Sequence, residues 1–210
     1  MFGTREELSK FFNFNTQDNR FCCILQISHK CNIRCSCCYN KLLRDNANDN
    51  LLKPEALEKI IKYCTPKNIP MYTGVGEPFF WWDYTKNILV PMLNKYNSKY
   101  VISTNGLWGN NPKIIQEALN LNINTLFISH DWWHQQSVPT EYINNILDAF
   151  KDSSTKIYIA SIYNQQHPQD EIIYKYHDQL TIHWWEFNNQ VKDNIIFSHD
   201  ENGNCQHIMT

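Results

Sequence analysis

Glycine is scarce in this chain: only six of 210 residues, so each glycine marks a place where the backbone needs one. Long apolar runs are missing as well, and none approaches the roughly 18 to 20 residues that span a bilayer. Nor is there an excess of charge, since 19 basic and 21 acidic residues leave a formal net charge of −2. That balance argues against a nucleic-acid partner held mainly by electrostatics. The start, MFGTREELSK, carries acidic residues where a secretory signal has its apolar core, so the chain reads as cytoplasmic. No low-complexity tract or short-period repeat interrupts it. What is present is ample core material, with 42% apolar and 14% aromatic residues on the scale of one domain.

Cysteine is the abundant exception. Eight cysteines in a cytoplasmic chain of this length need a reason, because disulfides are disfavoured in that compartment. Four of them, Cys31, Cys35, Cys37 and Cys38, crowd into eight residues.

The pattern along the chain alternates strand and helix. Thr4 and Glu7 form a capping box for a short N-terminal helix reaching Phe11 or Phe12. Phe21 to Ser28 reads as a buried strand running into a cysteine-rich loop, His29 to Asn40, and the polar segment RDNANDN follows as a linker. Pro54 opens a helix carrying Leu57, Ile60, Ile61 and Cys64 on one face. Ile69 to Thr73 is a strand ending in Gly74-Val-Gly-Glu-Pro78. Asp83 is the expected cap of the next helix, which Pro91 must kink or interrupt. Tyr100–Thr104, Asn124–Ser129, Ile157–Ile162 and Leu180–Trp185 read as further strands, and Asn111-Pro112 and the Ile143–Phe150 stripe mark helices between them. A short helix over Gln169–His177 and a terminal hairpin turning at Asp200–Gly203 complete the reading. Six strands alternating with helices predict an α/β fold with a parallel sheet, a partial (β/α)6 barrel. Functional groups in such folds gather at the C-terminal strand ends.

Cys31-x3-Cys35-x2-Cys38 lies just past the first strand, at that edge. Thiolates there bind a soft metal, either zinc or an iron–sulfur cluster. Chance placement of eight cysteines would yield this spacing only about 0.01 times. Zinc stays open on this segment alone, although a structural zinc site wants four ligands. The remaining cysteines are Cys37, adjacent to Cys38, and the distant Cys64 and Cys205. Three ligands with one open position suit a catalytic cluster better. Cys22 and Cys23 read as core, and Cys64 as packing on a helix face.

ISHKCNIRCSCCYN resembles the cluster-binding loop of the radical S-adenosylmethionine (radical SAM) enzymes, whose signature is C-x3-C-x2-C. TGVGEPFF at 73–80 is similar to the family's Gly-Gly-Glu-Pro segment, STNG at 103–106 is typical of it, and SHD at 129–131 resembles its Ser-x-Asp. These four motifs fall in order at successive strand ends. Two departures stand out: Cys37 replaces the usual aromatic before the third cysteine, and IYIASIYN lacks the glycine-containing pattern of the fifth strand.

The resemblance implies a [4Fe–4S] cluster on Cys31, Cys35 and Cys38, with S-adenosylmethionine chelating the open iron. One electron then cleaves the sulfonium to a 5′-deoxyadenosyl radical, which takes hydrogen from substrate. Tyr39, beside the last cysteine, is carried over as a cofactor contact. Gly74 and Gly76 let the backbone approach the cofactor's amino group, and Glu77 adds negative charge for it. Thr104 and Asn105 offer a hydroxyl and an amide to the carboxylate or ribose, or else form an Asx-type turn. Ser129 is a polar cofactor contact, and Asp131 faces substrate or cofactor, or caps the next segment. The resemblance divides the chain into an N-terminal helical extension (1–20), a radical SAM core (21–187) and a C-terminal extension (188–210). It also implies a one-electron donor such as flavodoxin or ferredoxin.

Three tryptophan pairs, Trp81-Trp82, Trp132-Trp133 and Trp184-Trp185, fall at or just past strand ends, with His134 and His183 beside two of them. They are either a stacking platform for substrate or a lid, dimer contact or outer core. Tyr39-Asn40 after the last cysteine resembles branches that modify peptides, and DENGNC at 200–205 faintly resembles the start of their auxiliary-cluster domain. The substrate is therefore expected to be a peptide or a small molecule. The compact length also resembles deazapurine-forming and glycyl-radical-activating enzymes. A non-catalytic zinc or iron–sulfur module is the competing class.

Overall fold

The computed structural model describes residues 23–36, 38, 40–163, 181–186, 195–199 and 205–209, with side chains described as far as residue 160. The N-terminal helix, Cys22, Cys37, Tyr39, the Gln169–His177 helix and the 200–203 turn lie outside the described residues.

Six strands form one parallel sheet in chain order: β1 (Cys23–Ile24), β2 (Met71–Thr73), β3 (Tyr100–Thr104), β4 (Thr125–Ser129), β5 (Lys156–Tyr163) and β6 (Thr181–Glu186). Every connection steps to the adjacent strand without reversing, which is the winding of a barrel rather than of a doubly wound sheet. The fold is thus a partial barrel of the expected class. β7 (Ile195–His199) and β8 (Cys205–Met209) form a separate antiparallel pair.

The first strand is shorter than the apolar run FCCILQIS predicts. Leu25 N–H still donates to the Tyr72 carbonyl at 2.8 Å, but the Ile27 carbonyl accepts instead from Leu52 N–H at 2.9 Å. The chain therefore leaves the sheet early, and Ser28 and Lys30 pass over the end of β2, where their carbonyls meet Gly76.

Helices α2 (Pro54–Cys64), α5 (Pro112–Leu119) and α7 (Thr140–Phe150) are amphipathic as their sequences announce, whereas α1 (Lys41–Asp45) has no side-chain cap and lies where the sequence reads as loop and linker. Asn111 caps α5, its side-chain oxygen accepting from Lys113 and Ile114 N–H, with Pro112 at the first helical position. Asp83 does not cap the helix after β2. It sits within α3 (Trp82–Tyr84), and Glu77 caps the preceding turn by accepting from Phe79 N–H at 3.0 Å. A π-helical turn at Thr85–Leu89 then leads into α4 (Val90–Lys95), so the widened turn meets Pro91, which has no N–H to donate.

Asparagine does the work of the missing glycines. Asn68, Asn97 and Asn122 adopt φ of 53°, 51° and 51°. After α2 and α4 the next residue closes the turn, Ile69 N–H bonding Cys64 O and Ser98 N–H bonding Leu93 O, each at 3.0 Å. Asparagine enters the left-handed region more readily than other side-chain-bearing residues, which lets helix pass into strand without glycine.

Two apolar layers result. The main core packs Leu57, Ile61, Leu93, Ile115, Ile143, Ile146 and Phe150 of the helices against Met71, Ile102, Leu126, Ile128 and Ile159 of the strands. The opposite sheet face carries a smaller cluster of Val101, Phe127 and Ala160 with Tyr72 and Tyr158, in which the Tyr72 and Phe127 rings meet edge to face at 6.1 Å. This inner cluster forms a floor beneath the C-terminal strand ends.

Candidate active site

The cysteine loop crosses those strand ends and runs directly into α1. Cys38 N–H donates to Cys35 O and Lys41 N–H to Cys38 O, both at 3.2 Å. Cys35 is buried, while Cys31 and Cys38 are half-buried. Burial first, and the nearby Glu77 charge second, push the Cys31 thiol up to about 11. Burial likewise raises Cys38, against the pull of Arg44. Left alone these groups are thiols, so a bound cation must drive their deprotonation. Arg44, in α1, turns its buried guanidinium back beneath the loop, with Nη1 3.5 Å from Ile33 O and its charge bearing on Cys38 and Cys31.

Gly76 braces the loop from β2. Its φ is +73°, and a Cβ there would overlap the carbonyl oxygens of Ser28 and Lys30. The next residue continues the contact, Glu77 N–H donating to Lys30 O at 2.9 Å. Gly74 is tight for a different reason, since a Cβ would run into the Tyr72 ring of the inner cluster.

Glu77 is buried and accepts from three groups: Phe79 N–H at 3.0 Å, the Thr104 hydroxyl at 2.8 Å and Asn105 N–H at 2.7 Å. Burial pushes its carboxyl up to about 7 in spite of those donors. Thr104 lies in the row with Ile128, facing the helix layer, and its hydroxyl also accepts from Gly106 N–H and Trp108 Nε1. Asn105 forms the Asx-type turn, its Oδ1 accepting from Leu107 N–H at 2.9 Å. Its amide nitrogen reaches back to the cysteine loop, 2.8 Å from Asn32 Oδ1 and 3.5 Å from Cys31 Sγ. The ends of β2 and β3 and the cysteine loop are thus tied together by Glu77 and Asn105.

The fourth strand contributes the remaining polar groups. Ser129 is half-buried, in a cross-strand row with Ala160 and His183. Asp131 is buried and caps α6 (Trp132–Gln135), accepting from His134 N–H at 3.0 Å and from the His134 ring at 2.8 Å. Burial would lower the His134 pKa, but the bond to Asp131 leads the groups that outweigh it and hold it up to about 10.

The tryptophans divide. Trp82 turns outward, donating to Glu117 at 2.7 Å and stacking on Phe79, which stacks in turn on Trp108 at 4.1 Å. That makes Trp82 outer core. Trp132 and Trp133 meet edge to face at 5.8 Å, both half-buried beside Asp131. The side chains of Trp184, Trp185 and His183 lie outside the described residues.

Reading the sequence for ligands missed two groups. Arg44 follows the loop at helical spacing in a segment that looks like solvated linker. His134 stands out in the sequence only as a neighbour of the tryptophans, although an Asp three residues ahead of it is a legible capping signal. Among the described residues no group of three His, Cys, Asp or Glu side chains is gathered tightly enough to hold a metal ion. The donor set nevertheless fits an iron–sulfur cluster. It offers three thiols at C-x3-C-x2-C spacing on one loop, the ligand type such a cluster takes.

Comparison with known proteins agrees. A protein of Bacillus subtilis (strain 168) named putative peptide biosynthesis protein YydG is 28% identical over 131 residues, which cover 59% of this chain and 40% of that protein. The chain therefore spans less than half of that relative. A family model described as the Radical SAM superfamily matches residues 25–163, from the end of β1 to the end of β5. That match takes in the cysteine loop and every strand end that converges on it, and on this ground the chain belongs to the radical SAM superfamily.

Proposed function

We propose that Cys31, Cys35 and Cys38 hold a [4Fe–4S] cluster, and that the chain uses it with S-adenosylmethionine to take a hydrogen atom from a peptide substrate. The observation that carries this reading is the convergence of the three thiols, Glu77, Asn105 and Asp131 from four neighbouring strand ends over one apolar floor. When bound, the cluster and S-adenosylmethionine supply reductive cleavage of the sulfonium and a 5′-deoxyadenosyl radical.

The chain's own residues do the rest. Gly76 holds the loop against β2, and Glu77 and Thr104 lock the turn after β2 to β3. Gly74 makes room for the Tyr72 ring and Gly76 for the cysteine loop, which fixes the turn that presents Glu77 toward the cofactor's amino group. Asn105 steadies Cys31 and contributes an amide at the cofactor's carboxylate end, and Ser129 offers a hydroxyl from the inner face. Asp131 lines the same mouth, and Tyr39 flanks the third cysteine. The Tyr72–Phe127 floor keeps water from beneath the reacting groups.

The peptide assignment rests on the name of the Bacillus subtilis relative and on the Tyr39-Asn40 ending of the loop. A one-electron donor such as flavodoxin or ferredoxin is required, and a cytoplasmic setting suits reduced thiols. The core would run over 21–187, with extensions on either side.

The test is anaerobic reconstitution with iron and sulfide, then reduction with S-adenosylmethionine and an assay for 5′-deoxyadenosine. Wild type is expected to form it and Cys35→Ala to form none. Stoichiometric zinc in place of iron, with no cluster assembled, overturns the reading.

A further inference from the structure

We propose that the exposed face of α1, built on Leu42 and Leu43 with Lys41 and Arg34 at its rim, is where an acidic one-electron carrier protein of the flavodoxin class docks to reduce the cluster. The inference rests on the cysteine assignment above and deepens it, naming where the electron enters.

Leu42 is 76% exposed and Leu43 53%, and Leu42 is the most exposed large apolar side chain among the described residues. Their helix starts three residues after Cys38, and Lys41 N–H donates to Cys38 O at 3.2 Å. Helical spacing fixes their direction. Asn40 and Arg44, four apart, are both buried on the inner face, which puts Leu42 on the face opposite. One exposed leucine is ordinary, but two side by side within a charged rim have the anatomy of an interface.

The rim is cationic. Residues 28–50 hold four basic and two acidic residues in a chain whose formal net charge is −2. Asp49 pairs with Lys30, and Asp45 is shared by Arg34 and Arg44, so two positive charges remain over. A second copy of this chain would set the same cations against one another, whereas an acidic partner complements them. Position selects the redox class. Electron tunnelling falls steeply with distance, so a donor must come close to the ligand loop, and α1 leads directly from the half-buried Cys38. A flavodoxin presents the apolar edge of its flavin within an acidic surface, the complement of leucines within a basic rim. Transient electron-transfer partners meet over small interfaces, below about 1,200 Å², so a patch of a few side chains suffices. The reduced flavin gives up one electron, the cluster gains it, and no covalent bond is made or broken.

The experiment mixes reduced flavodoxin anaerobically with the full reconstituted chain, wild type or Leu42→Ser/Leu43→Ser, and follows the flavin absorbance and the EPR signal of the reduced cluster. Iron and sulfide content and the rate of reduction by dithionite are read alongside. At sub-saturating flavodoxin the variant's cluster should be reduced roughly tenfold more slowly, with cluster content and dithionite rate unchanged. The wild-type rate should also fall as ionic strength rises. Equal flavodoxin rates in the two chains overturn the proposal, as does a wild-type cluster that dithionite reduces and flavodoxin does not. A variant that assembles less cluster, or that dithionite also reduces more slowly, overturns it too, because the leucines then serve the loop itself. So does a wild-type dimer that the substitutions separate. Should the double variant fail to fold, Lys41→Glu decides: slower reduction by flavodoxin with a weaker salt dependence supports docking here, and an unchanged rate overturns it. A wild-type chain that assembles no [4Fe–4S] cluster brings down the cysteine assignment itself, an outcome distinct from a cluster that flavodoxin reduces equally well in every variant.

Discussion

At Gly76 a single added carbon would undo the junction between two strand ends. The left-handed φ and the overlap with the Ser28 and Lys30 carbonyls act together. Gly76→Ala should destabilise the protein by at least about 1–2 kcal/mol and lower iron uptake, read by denaturant midpoint and metal analysis. Glu77 gives a pH signature. Its folded pKa of about 7 exceeds the ordinary value of 4.5, so the folded state binds the proton more tightly. The associated stability is complete below pH 4.5 and is lost as pH rises through 7, an effect on the order of 3 kcal/mol for so buried a group. Unfolding midpoints of wild type and Glu77→Gln should therefore diverge between pH 5 and pH 8, wild type losing ground. A difference that does not change with pH would exclude this account.

At the scale of elements, helix-to-strand passages set the positions of the strand ends. Asn97 closes α4 in the left-handed region, and Ser98 N–H completes the turn on Leu93. Asn97→Ala should cost about 1 kcal/mol while Asn97→Gly costs nothing or stabilises, measured by urea unfolding. Equal losses in both variants would mean that the asparagine side chain, rather than its backbone conformation, matters. These junctions are legible as composition, asparagine being frequent where glycine is rare, yet nothing in spacing alone says which asparagine turns left-handed. The π turn ahead of Pro91 illustrates the same limit. Proline announces an interruption, and packing of Leu89, Val90 and Leu93 into the core chooses its form.

For the whole molecule the cluster and the fold are coupled. Because burial holds Cys31 and Cys38 as thiols, the metal supplies both charge and cross-links when it binds. Reconstituted wild type should melt several degrees above Cys35→Ala, and chelation should bring the two together. A gap that survives chelation would point to a packing role for the buried Cys35 instead. At the mouth, replacing Trp132 and Trp133 together by alanine should weaken substrate binding and leave iron content unchanged. Loss of the cluster would instead make the pair part of the core.

Element order, the sequential parallel sheet and the cysteine loop at a C-terminal strand end are determined by the sequence alone, because hydrophobic periodicity and local turn chemistry are short-range properties. Tertiary structure decided which side chains those strand ends present. Strand parity turns Thr104 toward the helices, with Ser103 in the row of Phe127 on the opposite face. Crossovers bring Asn105 onto Cys31 from about 70 residues away in the chain. Trp82, next to the mouth in sequence, is drawn outward by Glu117 of the neighbouring helix. Each of these depends on where a crossover returns the chain, and contacts between segments so far apart leave no mark in residue spacing.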